Sequence, residues 1–145
     1  MKSQFIRAIL LFMIITDAFA VGQTKNIYEP WDEYADRIPN CMMDQFILPE
    51  PNYADLTVDE KKDLRISQQL QEYKIYGWDN GKCVISNKDY AAPGTITTGS
   101  QFCTFSKEDL STISAFARDV AKDGQSKTYM HPYVELLKKN CELVY

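Results

Sequence analysis

The sequence predicts an α+β fold: a small antiparallel sheet of two hairpins, packed against about three helices and tied by two disulfides. Three observations predict it. Asn80-Gly81 sits between residues 73–78 and 82–86, two runs with alternating apolar positions. A two-residue hairpin turn needs positive φ at both residues, and Asn-Gly reaches it at the least steric cost. Ser106-Lys-Glu-Asp109 is a helix cap signature, followed by Leu110, Ile113, Phe116, Ala117 and Val120 at helical spacing. Finally, Cys41, Cys83, Cys103 and Cys141 form an even set in a small chain.

The first hairpin has a readable register. A turn at Asn80-Gly81 sets Asp79 opposite Lys82, Trp78 opposite Cys83, Gly77 opposite Val84 and Tyr76 opposite Ile85. Side chains alternate between faces along a strand. Trp78, Tyr76, Cys83 and Ile85 are therefore expected on the inner face, with Ile75 on the other. The second hairpin is read across Gly99-Ser100, with residues 95–98 and 101–105 as its arms and Ile96 and Cys103 on one face.

The start of the chain reads as an address. Lys2 and Arg7 make a basic opening, residues 8–16 are apolar, and Ala18-Phe19-Ala20 is an A-x-A cleavage site. This pattern predicts a signal peptide over residues 1–20 and a secreted, extracellular domain over residues 21–145. No later stretch has the length of a membrane span. The net charge is −4 for the full chain, and −5 once Lys2, Arg7 and Asp17 are set aside. Charges of both signs are interspersed, without a basic stripe, which argues against a nucleic-acid partner.

An export signal favours disulfides over free thiols. Their spacing lacks C-x-x-C, and His131 is the single histidine, so a zinc site is not expected. Three pairings are possible. Cys83 and Cys103 both point from strands toward one layer, which favours outward bonds, Cys41–Cys83 and Cys103–Cys141.

The remaining elements follow in order. Pro30 suits the first turn of a short helical segment in residues 28–39. Trp31 and Tyr34, three apart within it, are the candidate partner-binding residues, with an arm packed on the core as the alternative. Residues 42–48 read as an extended segment ended by Pro49-Glu50-Pro51. Thr57 and Glu60 form a capping box, opening a helix expected to end near residues 70–73. A second helix covers residues 107–122, with Gly124 beyond its end, and a third covers residues 132–140. The apolar tail, residues 143–145, is expected to dock.

Catalytic chemistry is thinly signalled. Serine and cysteine nucleophiles need an oriented histidine, and only His131 is available. Paired carboxylates are the best enzymatic route. Asp32, Glu33, Asp44, Glu50, Asp55 and Asp89 are candidates, and none stands out from the solvated background. No cofactor, EF-hand or phosphate loop is indicated. The expectation is a secreted non-enzymatic binding protein of effector, toxin-like, salivary or venom type, engaging an extracellular or host protein. The alternatives are a small hydrolase using carboxylates or His131, and a carrier of a small apolar ligand.

Overall fold

Five antiparallel strands run in sheet order as they run in sequence: β1 Asp44–Pro49, β2 Leu70–Asp79, β3 Lys82–Asp89, β4 Ser100–Phe105 and β5 Cys141–Val144. They belong to a computed structural model that describes residues 26–53, 56–63, 70–90, 99–125 and 130–144. The helices are α1 Pro30–Arg37, α2 Val58–Asp63, α3 Lys107–Asp123 and α4 Met130–Asn140. This is the α+β arrangement the sequence predicts, with both favoured disulfides in place. The predicted signal peptide lies outside the described residues.

The Asn80-Gly81 turn forms with φ of 48° and 75°, and the first three register pairs are Asp79/Lys82, Trp78/Cys83 and Gly77/Val84. The fourth differs. A bulge between Ile75 and Gly77 leaves Tyr76 as the extra residue and sets Ile75 opposite Ile85. Gly77 takes a φ of +95°, a conformation that the missing Cβ permits. The expected faces of Ile75 and Tyr76 are thereby exchanged: Ile75 is buried and Tyr76 is exposed. Trp78 stays beside Cys83 but sits near the hairpin tip, half exposed, its indole N–H donating to the Asn40 carbonyl at 3.2 Å.

The other strands extend the sheet on both sides. One arm of the second predicted hairpin, residues 95–98, lies outside the described residues. The other arm is β4, whose two edges are taken by β3 and β5. Leu143 and Val144 of the apolar tail pair within β5, whose Cys141 lies directly opposite Cys103, and Tyr145 lies outside the described residues.

The inner sheet face is built from Phe46, Leu48, Tyr73, Ile75, Ile85 and Phe105, all buried. Three helices cover it. Ser106 caps α3 in both directions: its hydroxyl accepts from the Asp109 N–H, and the Asp109 carboxylate accepts from the Ser106 N–H. The apolar stripe from Leu110 to Val120 is buried as its period predicts. Helix α4 begins at Met130, two residues ahead of expectation, so Pro132 falls in its first turn, where a missing N–H costs nothing. The Thr57–Glu60 capping box forms, and α2 follows it. That helix does not run to residues 70–73. Leu70 already belongs to β2, where Gln71, Tyr73 and Ile75 point inward with a period of two. The alternation outweighs the looser helical pattern because those side chains close the core.

Candidate functional site

Helix α1 places its aromatics inward. Trp31 and Tyr34, the candidate partner-binding residues, are 0% and 2% exposed. Trp31 meets Tyr34, Tyr73 and Phe116 edge-on at 5.3–6.1 Å and donates its indole N–H to the Pro49 carbonyl at 2.9 Å. Both rings are core pillars and present nothing to a partner. Cys41, in a left-handed conformation after the short 3-10 turn Ile38–Asn40, bonds Cys83 and pins this arm to β3.

The candidate carboxylates among the described residues separate clearly in space. Asp32 pairs with Arg118, Glu33 and Asp44 pair with Arg37, and Asp55 lies outside the described residues. Glu50 and Asp89 are brought together where β1 ends and β3 ends. Trp31 holds Pro49 by its carbonyl and so fixes the chain at Glu50. Asp89 stands opposite Gln71, whose amide donates to it at 2.8 Å. Tyr53 shares a hydrogen bond with the Glu50 carboxyl. Burial, reinforced by the Asp89 charge and opposed by that bond, pushes the Glu50 carboxyl up to about 8. Glu50 thus keeps its proton at pH 7, close to Asp89.

Four tyrosines line the interior behind it. Burial holds the hydroxyls of Tyr34, Tyr53, Tyr73 and Tyr133 well above the usual phenol range, with the Glu50 charge contributing at Tyr53, Tyr73 and Tyr133. Tyr133 stacks on Phe116 at 3.8 Å, and Tyr53 stacks on the same ring at 6.3 Å. The cavity among Tyr34, Tyr73, Ile85, Tyr133 and Leu137 measures about 10 Å³, the room of one water and far below that of a small apolar ligand.

His131 is exposed in the first turn of α4. Among the described residues no group of three His, Cys, Asp or Glu side chains is placed to hold a metal.

The outer face of the sheet is a second candidate. Tyr76 of β2 stacks on Phe102 of β4, centroids 5.9 Å apart and rings 29° from parallel. They are 41% and 36% exposed. Ser86 of β3 donates its hydroxyl to the Tyr76 oxygen at 3.3 Å, and the Lys74 ammonium sits 4.9 Å from the Tyr76 ring centre. Met43 packs at the bulge, within reach of Gly77. Ile47, Leu70 and Val144 add further exposed apolar area along the same face.

Neither group was singled out by sequence reasoning. The isolated Gly77 within a strand pattern is a bulge signal, and it would have turned Tyr76 outward. Glu50 carries no such signal, since its burial and the nearby Asp89 arise only when distant segments pack together.

The chain matches no protein-family model, no curated protein and no solved structure.

Proposed function

We propose that this chain is a secreted binding protein of effector, toxin-like, salivary or venom type, engaging an extracellular or host protein through the outer face of its sheet. One observation carries the reading: the Tyr76–Phe102 stack stands open to solvent on a strand-built platform. Rigid aromatic rings bury much area at little entropic cost and dominate protein interfaces. The charges on this face balance, Lys74, Lys82 and Lys88 against Glu72, Asp79 and Glu142, although the chain carries −4. A phosphate backbone calls for a net basic face, whereas a balanced aromatic face suits a protein surface. Two disulfides fit an oxidising compartment.

The test compares wild type with a Tyr76→Ser/Phe102→Ser variant of equal melting temperature. Wild type is expected to retain a protein saturably from extracellular extracts, and the variant to release it. Equal retention of that protein by the variant would overturn the reading.

A second reading is favoured by the Glu50–Asp89 pair. It is a small hydrolase in which Glu50 serves as general acid and Asp89 as the charged carboxylate across the bond, the division of roles that glycoside hydrolysis uses. Chromogenic glycosides assayed with wild type and Glu50→Gln decide it. Turnover that vanishes in the variant supports it, and turnover absent from both sinks it.

A further inference from the structure

The two disulfides occupy unlike places. Cys41–Cys83 ties the end of the 3-10 turn to the central strand β3, and both of its residues are buried, at 3% and 0% exposure. Cys103–Cys141 joins β4 to β5, an edge strand of four residues. Cys103 is buried, but Cys141 is partly exposed and Glu142, Leu143 and Val144 are all exposed. A ladder that short, paired on one side and without a buried side chain, contributes little stability by itself.

The junction leading into β5 is also under-satisfied. Asn140, the last residue of α4, has its amide nitrogen buried without a hydrogen-bond partner among the described residues. Opening at that point would return the amide to water. Helix α4 does not depend on β5 for its anchorage, because Tyr133, Val134 and Leu137 are buried in the core and Tyr133 stacks on Phe116. Release can therefore stop at residue 141.

We infer that Cys103–Cys141 is a thiol–disulfide exchange site for a dithiol reductant, and that its reduction frees β5 while the rest of the fold stays closed. The reductant's thiolate attacks the sulfur of Cys141, the less buried partner of the bond. The S–S bond breaks, a mixed disulfide forms at Cys141, and Cys103 leaves as a thiolate and takes up a proton. The reductant's second thiolate then attacks its own sulfur in the mixed disulfide and expels Cys141. Two electrons pass to the protein, which ends with two thiols, and the dithiol ends as a disulfide. Cys41–Cys83 is shielded from the same attack by burial. The freed edge of β4 would carry unpaired backbone groups next to Phe102, an opening for strand addition.

The experiment is a time course of the oxidised protein with dithiothreitol, quenched by alkylation and read by peptide mass spectrometry. Cys103 and Cys141 are expected to label faster than Cys41 and Cys83 by about tenfold or more. Hydrogen exchange on the partly reduced protein should show β5 amides losing protection while β2 and β3 keep theirs. Equal labelling of all four cysteines, or protected β5 amides after reduction, would overturn the inference. A Cys103→Ser/Cys141→Ser variant gives the second arm. It should fold with Cys41–Cys83 intact and β5 exchanging freely, and failure to fold would make the bond a structural requirement and end the proposal.

Discussion

Tyr76 of β2 reaches across β3 to stack on Phe102 of β4, a contact between strands that are not neighbours in the sheet. The bulge makes it. With Tyr76 as the extra residue, Ile75 closes the core opposite Ile85 and the tyrosine turns to the outer face above Ser86. Gly77 therefore governs the outer surface as much as the local backbone.

Gly77→Ala tests this control. The φ of +95° disfavours any L side chain, and a Cβ there would come within 3.3 Å of the Met43 Cγ. The expected loss is about 1–2 kcal/mol, read as a lower urea midpoint with an unchanged slope. Gly81→Ala meets nothing within 4 Å, so its cost is backbone strain alone. A Gly77→Ala midpoint equal to wild type would mean the bulge is absent.

The two tryptophans should behave oppositely. Trp31 is fully buried and bonded to Pro49, whereas Trp78 is 46% exposed at the hairpin tip. Trp31→Phe should lower stability by about 2–4 kcal/mol, through lost volume and an orphaned carbonyl at Pro49. Trp78→Phe should stay within about 1 kcal/mol. Iodide quenching gives an independent reading: it should remain strong in Trp31→Phe and become weak in Trp78→Phe.

Local chemistry was legible wherever one segment decides the outcome. Asn80-Gly81 fixes its own turn, Ser106 and Asp109 cap their own helix, and the stripe from Leu110 to Val120 faces one way by its period alone. Reading failed where a distant partner decides. Tyr76 faces outward because Ile75 fits the core better after a bulge, and Leu70 is strand because Pro49 of β1 pairs with it and the Tyr90 N–H donates to its carbonyl. Glu50 was one of six equivalent carboxylates in sequence. It became distinct only when the fold buried it and brought Asp89, from the end of β3, close to it.

The two disulfides separate stability from accessibility. They close loops of 42 and 38 residues, so chain entropy assigns them nearly equal contributions, about 4 kcal/mol each. The native surroundings break the tie. Cys41→Ser/Cys83→Ser places two hydroxyls in buried sites, while Cys103→Ser/Cys141→Ser buries one and leaves the other on a partly exposed edge strand. Calorimetry should find the first variant melting below the second, and the reverse order would contradict the burial difference.

Glu50 should make stability depend on pH in an unusual direction. Its carboxyl lies at about 8 in the folded chain against an ordinary value of 4.5. Between those values the folded chain keeps a proton that the unfolded chain has released. Stability conferred by the neutral acid is thus complete below about 4.5 and is lost as pH rises toward 8. The slope is up to about 1.4 kcal/mol per pH unit, before other groups are added. Most surface carboxylates act in the opposite sense at lower pH, because their ion pairs form as they ionise. Glu50→Gln removes the titration but keeps the shape and one hydrogen-bonding oxygen for Tyr53. Urea midpoints measured from pH 5 to 9 should fall for wild type and stay nearly level for Glu50→Gln, with the two curves crossing as the wild-type carboxyl ionises. Parallel curves would show that Glu50 is charged at neutral pH, and the acid role in the hydrolase reading would fall with it.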